Sequence, residues 1–288
     1  MGDFMNNTKK GMFFIILAAF FFACMNICVK LAGDIPSIQK SFFRNLIAAI
    51  FAFIILVKNK EGFKYQKKDL SLLLFRSIFG TIGILCNFYA VDHLLVSDAS
   101  MLNKLSPFFA IIFSSFILKE KANLSQKISI IIAFIGSLFV VKPSLDFVSN
   151  INSFIGIMGA MSAGIAYTCV RKLGKQGVAG AKIVFFFSCF SCLSVIPYLI
   201  FNYVSMSMEQ LLYLILAGLM AAGGQFSITN AYTYSPAKEI SIYDYMQVIF
   251  AAVLGFILLG QIPDMYSIVG YVIIIGIAFW NFYKQKVA

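Results

Sequence analysis

Long runs of apolar residues, each close to 20 positions, follow one another along almost the whole chain, separated by short polar breaks. A helix that crosses the hydrocarbon of a bilayer needs roughly 20 mostly apolar residues. Ten segments meet that requirement, at about 11–32, 35–57, 69–91, 96–118, 123–141, 152–173, 179–201, 208–232, 237–259 and 263–283. None shows the alternation of period two that marks a membrane β-barrel strand, and helices satisfy their own backbone in lipid. The first run follows Lys9-Lys10, exceeds the length of a signal-peptide apolar region and lacks a small-residue cleavage pattern, so it reads as a retained span. The expected fold class is an all-α membrane protein with ten transmembrane helices.

Composition removes the competing classes. Of 288 residues, 60% are apolar and 12% charged, with a mean hydropathy of +0.89. Soluble domains average about 45–50% apolar and about 25% charged. A soluble enzyme, a nucleic-acid-binding domain and a disordered chain are excluded on these values. The formal charge of +11 does not restore a nucleic-acid partner, because the cations sit in short breaks between spans and not on a solvated domain. They fall mainly on one side: Lys9 and Lys10, five lysines between Lys58 and Lys68, Lys119 and Lys121, Arg171, Lys172 and Lys175, Lys238, Lys284 and Lys286. The opposite breaks hold Lys142, with Lys30 near a helix end. The positive-inside rule then places both termini in the cytoplasm of an inner (plasma) membrane protein, as an even number of spans requires.

The two halves repeat. A shift of 141 lays Asn87-Phe-Tyr-Ala90 on Ile228-Thr-Asn-Ala231, Asp98-Ala-Ser100 on Glu239-Ile-Ser241, and Phe116-Ile-Leu-Lys-Glu120 on Ile257-Leu-Leu-Gly-Gln261. One offset holds without gaps. Five spans per copy is an odd number, so the copies, residues 11–141 and 152–283, enter the membrane from opposite sides. Inverted five-helix repeats of this kind characterise secondary transporters with a site between the halves.

Four charges lie where lipid forbids them: Arg44 in span 2, Arg76 in span 3, Lys104 in span 4 and Asp244 in span 9. A charged side chain at a helix centre costs about 2.5–3.5 kcal/mol, so four facing lipid would cost on the order of 10 kcal/mol. They are expected to face a wet interior. Helical spacing gathers further polar groups beside them. Arg76, Gly80, Gly83 and Asn87 form one stripe of span 3; Ser100, Asn103, Lys104 and Pro107 one of span 4. Tyr243, Asp244 and Gln247 lie on span 9, Gln225 and Thr229 on span 8, and the 141 shift maps Asn103 onto Asp244.

The candidate substrate-binding residues are thus Arg44, Arg76, Asn87, Asn103, Lys104, Gln225, Tyr243, Asp244 and Gln247, with Pro107 as a gating candidate. Plainer readings stand beside these. Arg76 also reads as an interfacial anchor, and Arg44 with Asp244 as a structural ion pair. Asn87, Asn103 and Gln225 read equally as interhelical hydrogen bonds. Pro107 kinks span 4, as a gate or merely as shape. Gly156, Ala160 and Gly164 are explained by close helix packing. Tyr232, Tyr234, Tyr243 and Tyr245 either stack on a ligand or anchor interfaces.

Catalytic and metal chemistry find little support. Cys189-Phe-Ser-Cys192 has the spacing of a redox or zinc motif but is embedded in an apolar span. His93 is the single histidine. No phosphate-binding G-x-x-x-x-G-K-[ST] loop, H-E-x-x-H or G-x-S-x-G occurs. No cofactor, no metal and no enzymatic activity are expected.

These features resemble the drug/metabolite transporter superfamily, of the bacterial EamA type. The likeness rests on the five-plus-five duplication and on Ser97-Asp-Ala-Ser-Met-Leu-Asn-Lys-Leu-Ser-Pro107 leading to Leu118-Lys-Glu120, which is similar to the family's small residues, central proline and closing acid. It covers about residues 10–283 and departs in the second copy, which has Gln261 opposite Glu120 and Val248 opposite Pro107. The resemblance implies a ten-helix bundle that moves small polar or amphipathic metabolites, amino acids and nucleotide-related compounds among them, by alternating access. Three interior cations against one anion add a lean toward carboxylate-bearing or zwitterionic cargo. Asp244 then meets an ammonium or carries a coupling proton, and a counter-substrate is the other coupling partner to consider. The alternative is a membrane sensor or subunit that binds a ligand without translocating it.

Overall fold

In a computed structural model the described residues are 2–93, 102–141, 151–260 and 262–287. Every regular element among them is helical. The helices are α1 (Gly2–Leu31), α2 (Ser37–Lys58), α3 (Lys67–His93), α4 (Ser106–Ile117), α5 (Leu124–Val141), α6 (Ile151–Lys175), α7 (Gly180–Asn202), α8 (Met208–Tyr234), α9 (Met246–Leu259) and α10 (Met265–Val287). Among the described residues, eight helical spans are long and apolar enough to cross a membrane, and α4 and α5 are shorter apolar helices. The first part of the expected fourth span, residues 96–101, lies outside the described residues.

The helix ends follow local chemistry. Pro36 precedes α2, where its missing N–H costs nothing. Ser207 and Gln210 form a reciprocal capping box at the start of α8. Gly260 closes α9 with φ of 64°, the left-handed turn glycine adopts without strain.

Apolar bulk faces outward and small or polar groups face inward, the reverse of a soluble protein. Phe116 is 79% exposed and Phe201 84%, whereas Gln39, Asn45, Arg76, Ser77, Thr81, Ser188 and Ser191 are buried. Small residues let the helices close on one another. A Cβ at Gly83 would stand 3.2 Å from the carbonyl of Gly159, and one at Gly159 would stand 2.9 Å from the Cβ of Cys86, so α3 and α6 touch backbone to backbone. The main pairings are α1–α8, α3–α6, α5–α10, α2–α7, α2–α8, α4–α6 and α1–α9. Both ends of the chain reach one end of the bundle: Lys10 lies over the Tyr234 ring at 5.7 Å, and Lys284 donates to Ser125 at 2.8 Å.

Spans 4 and 9 are each interrupted. Leu102 and Asn103 are helical, Lys104 and Leu105 form a turn, and α4 starts afresh at Ser106. Pro107 therefore sits in the first turn of a new helix and does not kink a continuous one; its lost donor would be unpaired there in any case. Span 9 opens as one α-turn, Ala237–Ile240, tightens to a 3-10 segment, Ser241–Tyr245, and only then becomes α9.

Candidate functional site

Broken helices release backbone groups from their ladders, and side chains nearby take them up. Here each break serves the other. The Lys104 ammonium donates to the Gln247 side-chain oxygen at 2.7 Å, to Asp244 Oδ2 at 3.3 Å and to the Asp244 carbonyl at 3.4 Å. In return the Tyr245 hydroxyl donates to the Lys104 carbonyl at 2.9 Å. Lys104 is 6% exposed and Asp244 9%, so the pair is shielded from solvent and lipid alike. Beside it, Asn103 donates to the Asn87 side-chain oxygen at 2.6 Å, tying the same break to α3.

Two tyrosines that stack with ring centroids 4.8 Å apart and planes 10° from parallel, Tyr167 of α6 and Tyr232 of α8, border this cluster. Tyr167 lies within electrostatic reach of Asp244, Arg44 and Arg76. The Arg76 guanidinium lies 3.6 Å from the centroid of the Phe187 ring and is 2% exposed. Its Nε and Nη1 have no hydrogen-bond partner. Arg44 lies over the Phe22 ring at 5.9 Å. Asn45, next to Arg44 in sequence, and Thr81 both donate to the Ser191 hydroxyl, at 3.2 and 3.1 Å, joining α2, α3 and α7.

The nine candidate residues are thus unevenly placed. Lys104, Asp244 and Gln247 meet directly, and Asn87 and Asn103 meet beside them. Arg44 and Arg76 join neither group and lie against the Phe22 and Phe187 rings. The interfacial reading of Arg76 fails, since its guanidinium is enclosed between α3 and α7. The ion pair imagined for Arg44 is made by Lys104 instead: Asp244 pairs with Lys104. Gln225 donates to Thr229 within its own helix at 3.4 Å, and the buried Tyr243 hydroxyl, which has no partner, lies near Glu239. Neither joins the central cluster. Residues that sequence reasoning passed over include Tyr167, Phe187, Asn45 and Ser191. Tyr167 carries one signal, being the lone tyrosine of span 6 three positions after Gly164 in its small-residue stripe. Asn45, beside Arg44, and Ser191, one of several small polar residues of span 7, carried none.

Both ends of the bundle are tied. At the end that carries the termini, Glu120 binds Lys175 at 2.6 Å and Arg171 at 3.2 Å, while Arg171 also donates to the Thr233 carbonyl at 2.8 Å. Gln126 reaches Glu239 at 2.9 Å. Tyr65, in the α2–α3 connection, donates to the Lys182 carbonyl at 3.3 Å, and burial pushes its hydroxyl pKa up to about 12. At the other end Gln39 and the Val204 backbone exchange two hydrogen bonds, of 2.9 and 3.1 Å. The counterpart of Glu120 in the second half, Gln261, lies outside the described residues. The six cysteines are free, and the Cys192 thiol is 3.8 Å from the Phe42 carbonyl. Among the described residues no three His, Cys, Asp or Glu side chains gather to hold a metal.

The profile of the EamA-like transporter family matches this chain twice, over residues 9–142 and 151–283. The chain belongs to the EamA-like transporter family. Relatives of this EamA-like protein run the length of the chain. It is 29% identical to the pseudopaline exporter CntI of Pseudomonas aeruginosa, over 93% of this chain and 94% of that protein. It is 26% identical to human solute carrier family 35 member G1, over 92% of this chain and 77% of the other. An uncharacterized transporter of Helicobacter pylori is also 26% identical, over 94% and 93%. One crystal structure superposes with a TM-score of 0.79 at 13% identity, over 94% of this chain and 95% of that one, a likeness of fold. Family and relatives alike make this chain a membrane transporter.

Proposed function

We propose that this EamA-like protein is a secondary transporter that carries a small polar organic metabolite by alternating access between two inverted five-helix halves. The observation that carries the reading is the Lys104–Asp244–Gln247 cluster, in which helix breaks from the two halves supply each other's polar partners. A carboxylate of the cargo takes Lys104, an ammonium takes Asp244, and the ion pair that ties the halves opens. Asp244 freed of Lys104 also accepts a proton, which makes proton coupling and counter-substrate exchange the two schemes to test.

Packing supports the repeat. Exchanging each helix for the one five places along turns α1–α8 into α6–α3, α4–α6 into α9–α1 and α2–α8 into α7–α3, and leaves α2–α7 and α5–α10 unchanged. The turn at Lys104–Leu105 also falls opposite the junction at Tyr245–Met246 under the 141 shift. The basic loops favour a plasma-membrane orientation with both termini cytoplasmic, and the exporter among the relatives makes outward movement the direction to test first. The alternative, a sensor that binds without moving its ligand, fits the same cluster. Proteoliposomes incubated with labelled metabolites separate the two, since a transporter accumulates solute far beyond one molecule per protein. Uptake that stops at stoichiometric binding would favour the sensor.

A further inference from the structure

Charge accounting at the centre of the bundle does not close. Lys104 and Asp244 neutralise one another. Arg44 and Arg76 remain, each near enough to the other to feel its charge, and no described carboxylate pairs with either. The surplus is sharpest at Arg76. A guanidinium 2% exposed with Nε and Nη1 unpartnered is an expensive group to keep, because burial of a charge is tolerated when it is paired and hydrogen-bonded. What holds it is contact that uses none of its donors. The Phe187 ring covers one face at 3.6 Å. At Gly80, one helical turn away, an added Cβ would collide with Arg76 Nη1 and stand 2.8 Å from the Phe187 ring, so only glycine leaves room for the guanidinium there. The side chain is fixed by shape while Nε and Nη1 stay unused, which is the construction of a preorganised oxyanion receptor.

We infer that Arg76, with Arg44, forms a second anion subsite within electrostatic reach of Tyr167, and that the cargo is a net oxyanion carrying two anionic groups, such as a dicarboxylate or a phosphate ester. This rests on the transport reading of the central site and narrows its substrate class. One anionic group takes Lys104 and displaces Asp244; the second takes Arg76. Monovalent zwitterions and organic cations leave the guanidinium pair uncompensated and are discriminated against.

The test is thermal unfolding of the purified protein in detergent with succinate, inorganic phosphate, alanine or putrescine as probes, for wild type, Arg76→Met and Arg76→Lys. At saturation an oxyanion is expected to raise the wild-type melting temperature by about 5 °C, while alanine and putrescine leave it unchanged. A response to succinate identifies a carboxylate cargo, and a response to phosphate identifies a phosphate ester. In Arg76→Met that response is lost, yet the unliganded protein melts at or above the wild-type temperature, because an uncompensated buried charge has been removed. Arg76→Lys keeps a response weakened by about tenfold in affinity. The inference is overturned if neither oxyanion stabilises wild type, if alanine or putrescine does so equally, or if unliganded Arg76→Met melts well below wild type, the mark of a structural arginine. Counterflow in proteoliposomes is scored separately. Oxyanion binding without flux would defeat the transport reading and leave the Arg76 anion subsite standing. Accumulation of putrescine that Arg76→Met does not alter would do the reverse.

Discussion

Lys104 and Arg76 are both cations buried within apolar spans, and the structure treats them in opposite ways. Lys104 has an acid, an amide oxygen and a carbonyl within 3.4 Å, all from span 9. Arg76 has an aromatic ring and a glycine, and at least two nitrogens with nothing to donate to. By sequence alone they were one class of feature, a charge misplaced in lipid. The difference teaches that the partner sets what a buried cation can do: a neutralised one can tie two helices together, whereas one without an acid keeps donors open, the basis on which Arg76 is inferred to receive an anion.

The comparison can be broken first through stability. Asp244→Ala strands the Lys104 ammonium and is expected to cost about 3–5 kcal/mol, a fall of roughly 10 °C in melting temperature, against no loss for Arg76→Met. Equal losses would erase the distinction. The double variant Lys104→Met with Asp244→Leu should recover most of that stability and none of the transport, so a double-mutant cycle through these two substitutions should give a coupling of at least about 3 kcal/mol. A cycle that closes to zero would mean that the ion pair is not energetically real. Glu120→Gln, at the end of the bundle that carries the termini, loses charge-assisted contacts to Arg171 and Lys175 and should cost about 1.5 kcal/mol by the same melting measurement. The smallest effect belongs to Asn103→Ala, about 1 kcal/mol, and combining it with Asn87→Ala should add nothing further.

Much of the fold was legible because lipid imposes a crude and repetitive code. Ten apolar runs mark ten helices, and the positions of the interrupted spans show where that code stops. In span 9, Ser241 to Tyr245 reads as an ordinary stretch of an apolar run, and nothing in its periodicity marks a 3-10 segment. Pro107 was visible, but a proline in a span announces irregularity without saying on which side of it the break falls. The candidate site was legible as a set of charges and only partly as a constellation. Lys104 and Asp244 were both singled out, and the 141 shift placed their neighbourhoods in register. Which acid meets which base depends on packing across the bundle, so Arg44 was the reasonable wrong partner for Asp244. The Asn45–Ser191–Thr81 contacts lay beyond reach for the same reason: each is a small polar residue whose partner comes from a helix far away in sequence.

The claim on which the account turns is that the helix breaks of spans 4 and 9 hold the cargo through Lys104. Its most direct test is the initial rate at which wild-type and Lys104→Ala proteoliposomes accumulate solutes from a defined metabolite mixture, read by mass spectrometry. The account predicts that wild type concentrates at least one anionic solute and that Lys104→Ala, at matched protein content, moves it at the rate of protein-free vesicles. Accumulation by Lys104→Ala at the wild-type rate would contradict it.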